Sequence, residues 1–154
     1  MPTHHKGGPA ETAVLNAFIK FMRAHNQLSS GLAAHLSGHA LTPGQFGVLE
    51  TLWHLGPLCQ HELGEKLLSS KPNISAVVSN LERDGLVRRE RDRKDGRSVR
   101  VSLTVKGRRA VDKAFPEFVK HITGAMGALN AAELDSLGLL CKKLGLSLDA
   151  RRRS

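Results

Sequence analysis

Cysteine is scarce in this 154-residue sequence: Cys59 and Cys141 are the only two. Two thiols cannot build a disulfide framework, and they fit a reducing cytoplasm. No apolar run approaches the roughly 18 residues that a membrane-spanning helix needs. The N-terminal "MPTHHKGGPA" lacks the apolar centre of a signal peptide, so a cytoplasmic location is expected. Acidic residues are few, with 14 Asp and Glu against 23 Lys and Arg, for a net charge of +9. That imbalance points to a polyanionic partner, either nucleic acid or an acidic membrane surface. Catalytic constellations are missing as well. No nucleophile stands beside a base, no carboxylates pair in a plausible pocket, and no glycine loop could cradle a phosphate. An enzyme is not expected, and no cofactor is called for.

What is present is mostly helix. Val14, Phe18, Met22, His25, Leu28, Leu32 and Leu36 recur at spacings of three and four, one stripe of a helix over Ala10–Ser37. A helix that long needs a partner along its length, such as another subunit. Residues 1–9 before it are expected to be disordered. "LTPGQF" opens a second helix: Thr42 as N-cap, Pro43 in the first turn, and Gln45 completing a capping box. Its inner face carries Phe46, Leu49, Leu52 and Trp53, and "LGP" at 55–57 stops it. A short third helix near Gln60–Leu68 buries Leu63, Leu67 and Leu68. A fourth, with Pro72 in its first turn, sets Ile74, Val77, Val78 and Leu81 at i, i+3, i+4 and i+7, and Gly85 is its left-handed C-cap. Two short helices joined tightly suggest a helix-turn-helix.

The stretch "RRERDRKDGRSVRVSLT", Arg88–Thr104, then turns from positive charge into apolar alternation. Val87–Arg91 predicts one strand and Val99, Val101 and Leu103 a second, with Asp95-Gly96 as the hairpin-turn signal. Thr104 caps another long helix carrying Val111, Phe115, Phe118, Val119 and Ile122, in which Pro116 should make a kink or a boundary. A last helix over Ala131–Leu144 shows Leu134, Leu137, Leu140 and Leu144, with Cys141 expected in the core. Residues 149–154 are expected to be a disordered basic tail. The fold class is therefore mainly α with a small β-hairpin wing: a winged helix-turn-helix over residues 41–104, flanked by long helices at 10–38 and 105–148.

In such a fold the outer face of the second short helix can enter the major groove, where base edges carry a readable code. Here that face is Asn73, Ser75, Ala76, Ser79, Asn80 and Arg83, with Ser70 and Lys71 at its start. The wing residues Arg91, Arg93, Lys94 and Arg97 can reach phosphates or a neighbouring minor groove. Asp95 either pairs with Arg97 or only forms the turn. A protein-contact module is the competing reading, and it should expose apolar residues on that helix face. None is found, and eight Lys or Arg fall between Arg83 and Arg100 against four acids. Double-stranded DNA is the expected partner.

The segment "GPLCQHELGEKLLSSKPNISAVVSNLERDGLVRRERDRKDGRSVRVSLTVKG" resembles the core of the MarR family of transcriptional regulators. "NLERDGLV", then Asp95-Gly96-Arg97, then "VSLTVKG" leading into a helix are its sharpest points. The likeness covers about Leu41–Gly107, and the flanking helices agree in length and order. It implies a homodimer joined through 10–38 and 105–148, binding a palindromic operator, usually as a repressor. It also implies release by a small phenolic-type ligand or an oxidant. By position, Pro72–Arg83 becomes the base-reading helix and Arg97 the wing residue entering the minor groove, with the two reading helices roughly 10 bp apart. Departures lie at Ala76, where the family often has a basic residue, at Ser79, where it often has an acidic one, and at Gly96, which removes a phosphate contact. Cys59 stands where a Ser or Thr N-cap is usual.

Other residues carry two readings. Trp53 and His25 are candidates for the family's effector pocket, between the dimer helices and the winged helix. Against this, Trp53 lies on an inner face and His25 in an interface stripe. Cys59 at a helix N-terminus could have a lowered pKa and serve as a redox sensor, or simply fill space beside Leu58. His35 and His39 stand four apart, as metal ligands can, but the helix is ending and no carboxylate is near in sequence, so no metal is expected.

Overall fold

The computed structural model describes residues 5–153. Six helices and three short strands follow in the order α1 (Pro9–Ser37), α2 (Pro43–Leu55), β1 (Leu58–Cys59), α3 (Gln60–Lys66), α4 (Lys71–Arg83), β2 (Val87–Arg91), β3 (Val99–Leu103), α5 (Val105–Ala125) and α6 (Ala131–Arg153). Of the N-terminal segment expected to be disordered, residues 1–4 lie outside the described residues and Pro9 already begins α1. No helix among the described residues is long and apolar enough to cross a membrane.

Local signals start the helices where the sequence places them. The Thr42 hydroxyl accepts from the Gln45 amide at 3.2 Å while the Gln45 side chain accepts from the Thr42 amide at 3.0 Å, so two orphan donors of α2 are satisfied together. The Ser70 hydroxyl accepts from the Asn73 amide to cap α4, and the Thr104 hydroxyl from the Gly107 amide to cap α5, each satisfying one such donor. Gly56 and Gly85 take φ of +78° and +72°, turning the chain out of α2 and α4 at little steric cost.

The core sits between α2, α3, α4, the sheet and the first half of α5. Leu49, Leu52, Leu63, Val78, Leu81, Val101 and Val111 have essentially no solvent exposure. The wing is a three-stranded antiparallel sheet of order β1-β3-β2 rather than a bare hairpin. Leu58 pairs with Val101 along one edge of β3, and Val87 through Arg91 pair with Leu103 through Val99 along the other. A two-residue strand is too short to show alternation, which is why sequence reading missed β1.

Three further expectations need correction. Pro116 makes no boundary: α5 runs through it, held on both sides by Phe115 against Trp53 (ring centroids 5.1 Å) and Phe118 against Phe46 (4.6 Å). The basic tail is helical, because α6 continues to Arg153 with Arg152 donating to Asp149 at 2.7 Å. Nothing in "LSLDARRR" stops a helix, and this i,i+3 pair supports its last turn. Cys141 is exposed rather than core, since α6 lies largely clear of the rest of the chain.

Candidate nucleic-acid interface

Helix α4 divides cleanly into two faces. Ile74, Val78 and Leu81 are buried, whereas Asn73, Ala76, Ser79, Asn80 and Arg83 are exposed and Ser75 is half-buried. The exposed side is thus small and polar, with nothing bulky to hold a base edge away. At its N-terminus the Ser70 hydroxyl accepts from the Asn73 amide at 3.4 Å, and the Asn73 side-chain amide donates to Ser69 at 2.7 Å. That contact holds the Asn73 side chain at the start of the helix.

The wing approaches the start of α4. A cleft of about 570 Å³ runs between α3, the start of α4 and the wing, lined by Gln60, Ser70, Lys71, Arg97, Ser98 and Val99 among others. It brings Ser70 and Lys71 together with Arg97, residues 26 or more apart in sequence. Arg91, Arg93, Lys94 and Arg97 are all exposed, and among the described residues none of the four makes an ion pair. Their charge is free for an external anion.

The turn at the tip resolves the two readings of Asp95. Its Oδ1 accepts from the Arg97 backbone amide at 3.0 Å and its Oδ2 from the Ser98 hydroxyl at 2.8 Å, while its carbonyl accepts from the Ser98 amide at 2.9 Å. Among the described residues no guanidinium pairs with it, so Asp95 is a turn-former. The bonds from Arg97 and Ser98 hold its carboxyl below the usual range. Gly96 does not take a positive φ, and the strands end at Arg91 and Val99. The expected two-residue hairpin turn is therefore a longer loop closed by a turn over Asp95–Ser98.

Two connections fix α4 to the wing, and neither was visible in the sequence. Glu82 on α4 accepts from the Arg89 backbone amide at 3.0 Å, from its Nε at 2.9 Å and from a terminal guanidinium nitrogen at 2.7 Å. Those bonds depress the Glu82 carboxyl. At the wing's base the Leu86 carbonyl accepts from both the Thr104 amide and the Thr104 hydroxyl at 3.1 Å, and the hydroxyl also reaches the Gly85 carbonyl at 2.7 Å. Contacts spanning seven and eighteen residues leave no periodic trace.

Cys59 does not behave as a helix N-terminus alone would make it. It is 7% exposed, and its thiol donates to Asp92 Oδ2 at 3.4 Å. Burial first, and then the Asp92 carboxylate, push the thiol pKa up rather than down. The Lys94 backbone amide and this thiol in turn lower the pKa of Asp92. A protonated, buried thiol is a poor nucleophile, so the redox reading of Cys59 loses its physical basis.

Trp53 and His25 are not drawn into one cavity. Trp53 donates from its indole to Asp112 Oδ1 at 2.9 Å and packs at a tilt against the Phe115 ring, at the α2–α5 seam. His25 is exposed on α1, in contact with Ser29 (3.3 Å) and the Phe21 ring. A second cleft, of about 620 Å³, opens where the end of α1, the end of α4 and the start of α5 meet, and neither residue lines it.

Comparison with known proteins agrees with this geometry. The MarR family profile matches residues 41–99. The HTH-type transcriptional regulator YkoM of Bacillus subtilis is 36% identical over 132 residues, which is 86% of each chain. The structure of a probable transcriptional regulator from Pseudomonas aeruginosa superposes with a TM-score of 0.74 at 30% identity, over 83% of this chain and 95% of that one. Sco3205, a MarR family regulator from Streptomyces coelicolor solved in complex with DNA, shares the fold at a TM-score of 0.83 and 23% identity, over 94% and 92% of the two chains. Proteins of this kind are non-enzymatic. With its helix-turn-helix, its three-stranded wing and these relatives, the chain belongs to the MarR family of winged-helix, DNA-binding transcriptional regulators.

Proposed function

We propose that this chain works as a homodimeric repressor in the cytoplasm, binding a palindromic operator through α4 and the wing and released by a small anionic, phenolic-type ligand. The observation that carries the dimer is a set of large apolar side chains left exposed on the flanking helices. Val14 and Phe18 on α1 are 68% and 58% exposed, and Leu139 and Leu140 on α6 are 70% and 65% exposed. Phe21 on α1, Val119 on α5 and Leu144 and Leu148 on α6 are exposed as well. Soluble monomers seldom leave so many large apolar side chains open on their long helices, and a second copy would cover them. The two-fold axis would then set two α4 helices into successive major grooves.

Base reading falls to Asn73, Ser75, Ser79 and Asn80. Arg83, Lys71 and Ser70 bind at the groove edge, Ala76 allows close approach, and Arg91, Arg93, Lys94 and Arg97 engage phosphates or the minor groove. The ligand is assigned to the second cleft, whose walls include Lys106, Arg109 and Lys113 beside Leu41 and Leu86. An anion lodged there separates α1 from the base of the wing, and it can lower DNA affinity only by preferring a helix spacing the operator does not accept.

The test is fluorescence-anisotropy binding to the DNA upstream of the protein's own gene, against scrambled DNA, across a salt series. Selective binding with two chains per site and a steep salt slope is expected. Weak binding, equal on both DNAs and with one chain bound, would overturn the reading.

A further inference from the structure

The seam between α1 and α5 holds a cluster that the DNA-binding reading does not use. Helix α1 ends at Ser37, but Gly38 stays in the right-handed region, so the chain follows the helical path one step further and His39 lies one turn beyond His35. Ala40 then takes φ of +55°, and Leu41 turns into the core, its amide bonded to the Leu36 carbonyl at 3.1 Å. This turn fixes both imidazoles on the side facing α5. From α5, Glu117 places a carboxylate oxygen 2.9 Å from His39 Nε2. One turn later His121 stacks on the His35 ring, with centroids 4.7 Å apart and planes 11° from parallel.

One nitrogen or oxygen from each of His35, His39 and Glu117 lies within 4.8 Å of the other two. The His39 side chain is only 10% exposed. His35 Nε2 is buried without a hydrogen-bond partner, one of two such side-chain atoms among the described residues. A lone buried nitrogen is costly to leave unmatched, and here it borders a second imidazole and an anion. A hydrogen-bonded His39–Glu117 pair alone leaves that nitrogen unexplained. Ligands at about 2.0–2.1 Å from a tetrahedral ion stand about 3.3 Å apart, so the 2.9 Å His39–Glu117 edge opens slightly and the edges to His35, no longer than 4.8 Å, close by about 1.5 Å at most. Glu117 is 63% exposed and can supply that movement.

We propose that His35, His39 and Glu117 form a binding site for a divalent transition-metal ion of the zinc class, one per chain, clamping the end of α1 to α5. Two imidazoles and a carboxylate suit zinc and its neighbours, whereas magnesium and calcium favour all-oxygen shells. The outward side of Glu117 leaves a path for entry and a position for water. A third ligand from a helix 78 residues further along the chain is what the His35/His39 spacing alone could not reveal.

The experiment titrates zinc(II) into the full-length protein against a chromophoric chelator, without DNA, for wild type, His39→Asn and Glu117→Gln. Saturation at one zinc per chain is expected, with affinity lowered at least tenfold by Glu117→Gln and at least a hundredfold by His39→Asn. Melting temperature should rise with zinc in the wild type and stay flat in His39→Asn. Glu117 is on the surface, so its variant keeps the fold and remains a valid reading if His39→Asn is unstable. Absence of stoichiometric binding, or equal affinity in wild type and Glu117→Gln, would overturn the proposal. Because no DNA is present, that outcome leaves the operator reading untouched.

Discussion

Gly107, in the first turn of α5, decides whether the base of the wing can close. It is fully buried, and a Cβ there would overlap the Leu86 carbonyl oxygen and sit 2.9 Å from the Leu86 carbonyl carbon. Both are backbone atoms, so no flexible side chain can swing away. Gly107→Ala must push α5 off the Gly85–Leu86 turn, costing about 1–3 kcal/mol in overpacking. It also loosens the two Thr104 bonds to the Leu86 oxygen, at about 0.5–1.5 kcal/mol each. Against this stands the better helix propensity of alanine, at most about 1 kcal/mol. Destabilisation wins, centred on about 3 kcal/mol, or a fall in melting temperature of about 6–12 °C for a chain of this size. Circular-dichroism melts at one fixed protein concentration check it, since assembly would otherwise shift the midpoint. Gly96→Ala is the control, because its Cβ meets nothing within 4 Å and should change little. A Gly107→Ala protein melting at or above the wild-type temperature would show that propensity governs this site and refute the packing argument.

Three shorter expectations follow. Arg97→Ala should weaken operator binding by about 1–3 kcal/mol and flatten its salt dependence, and unchanged anisotropy titrations would remove Arg97 from the interface. Glu82→Gln keeps the shape of the side chain but loses its charge toward Arg89. Because the folded state lowers the Glu82 pKa, its contribution is present above the ordinary carboxylate value of about 4.3 and is lost as pH falls through the folded-state value. The melting-temperature gap between wild type and Glu82→Gln should therefore be open at pH 7 and close toward pH 3; a gap that widens in acid contradicts the assignment. In a Cys141→Ser background, Cys59 should react with iodoacetamide at pH 7 at least tenfold more slowly than in denaturant, followed by mass spectrometry. Equal rates would restore it as a reactive thiol.

Much of the fold was legible because its signals are local. The Thr42–Gln45 capping box, the four-residue apolar face of α4 and the alternation of Val99, Val101 and Leu103 each lie within one element, where periodicity and capping chemistry act. Apart from the helical tail, the readings that failed depend on how elements pack against one another. β1 exists only because β3 lies beside it, and α5 crosses Pro116 because two phenylalanines are anchored by α2. Cys59 was read from its helix terminus, but Asp92, thirty-three residues away, and burial reverse the direction of its shift. Among the candidate contact residues, exposure of the outer face of α4 followed from its buried face, whereas the approach of Arg97 to Lys71 required the folded wing.

The Glu82–Arg89 bonds and the Leu86–Thr104 closure have one more consequence. The first ties α4 directly to β2, and the second ties the base of β2 to the start of α5, so the wing is braced at both places. In the proposed docking of α4, the wing cations would be held beside the duplex as if at high local concentration, and their binding would become an intramolecular step. On that proposal the two grooves would not be read independently. A duplex offering the right bases at the wrong distance from a narrow minor groove would then forfeit both contacts, and the proposed interface would measure length along DNA as well as sequence.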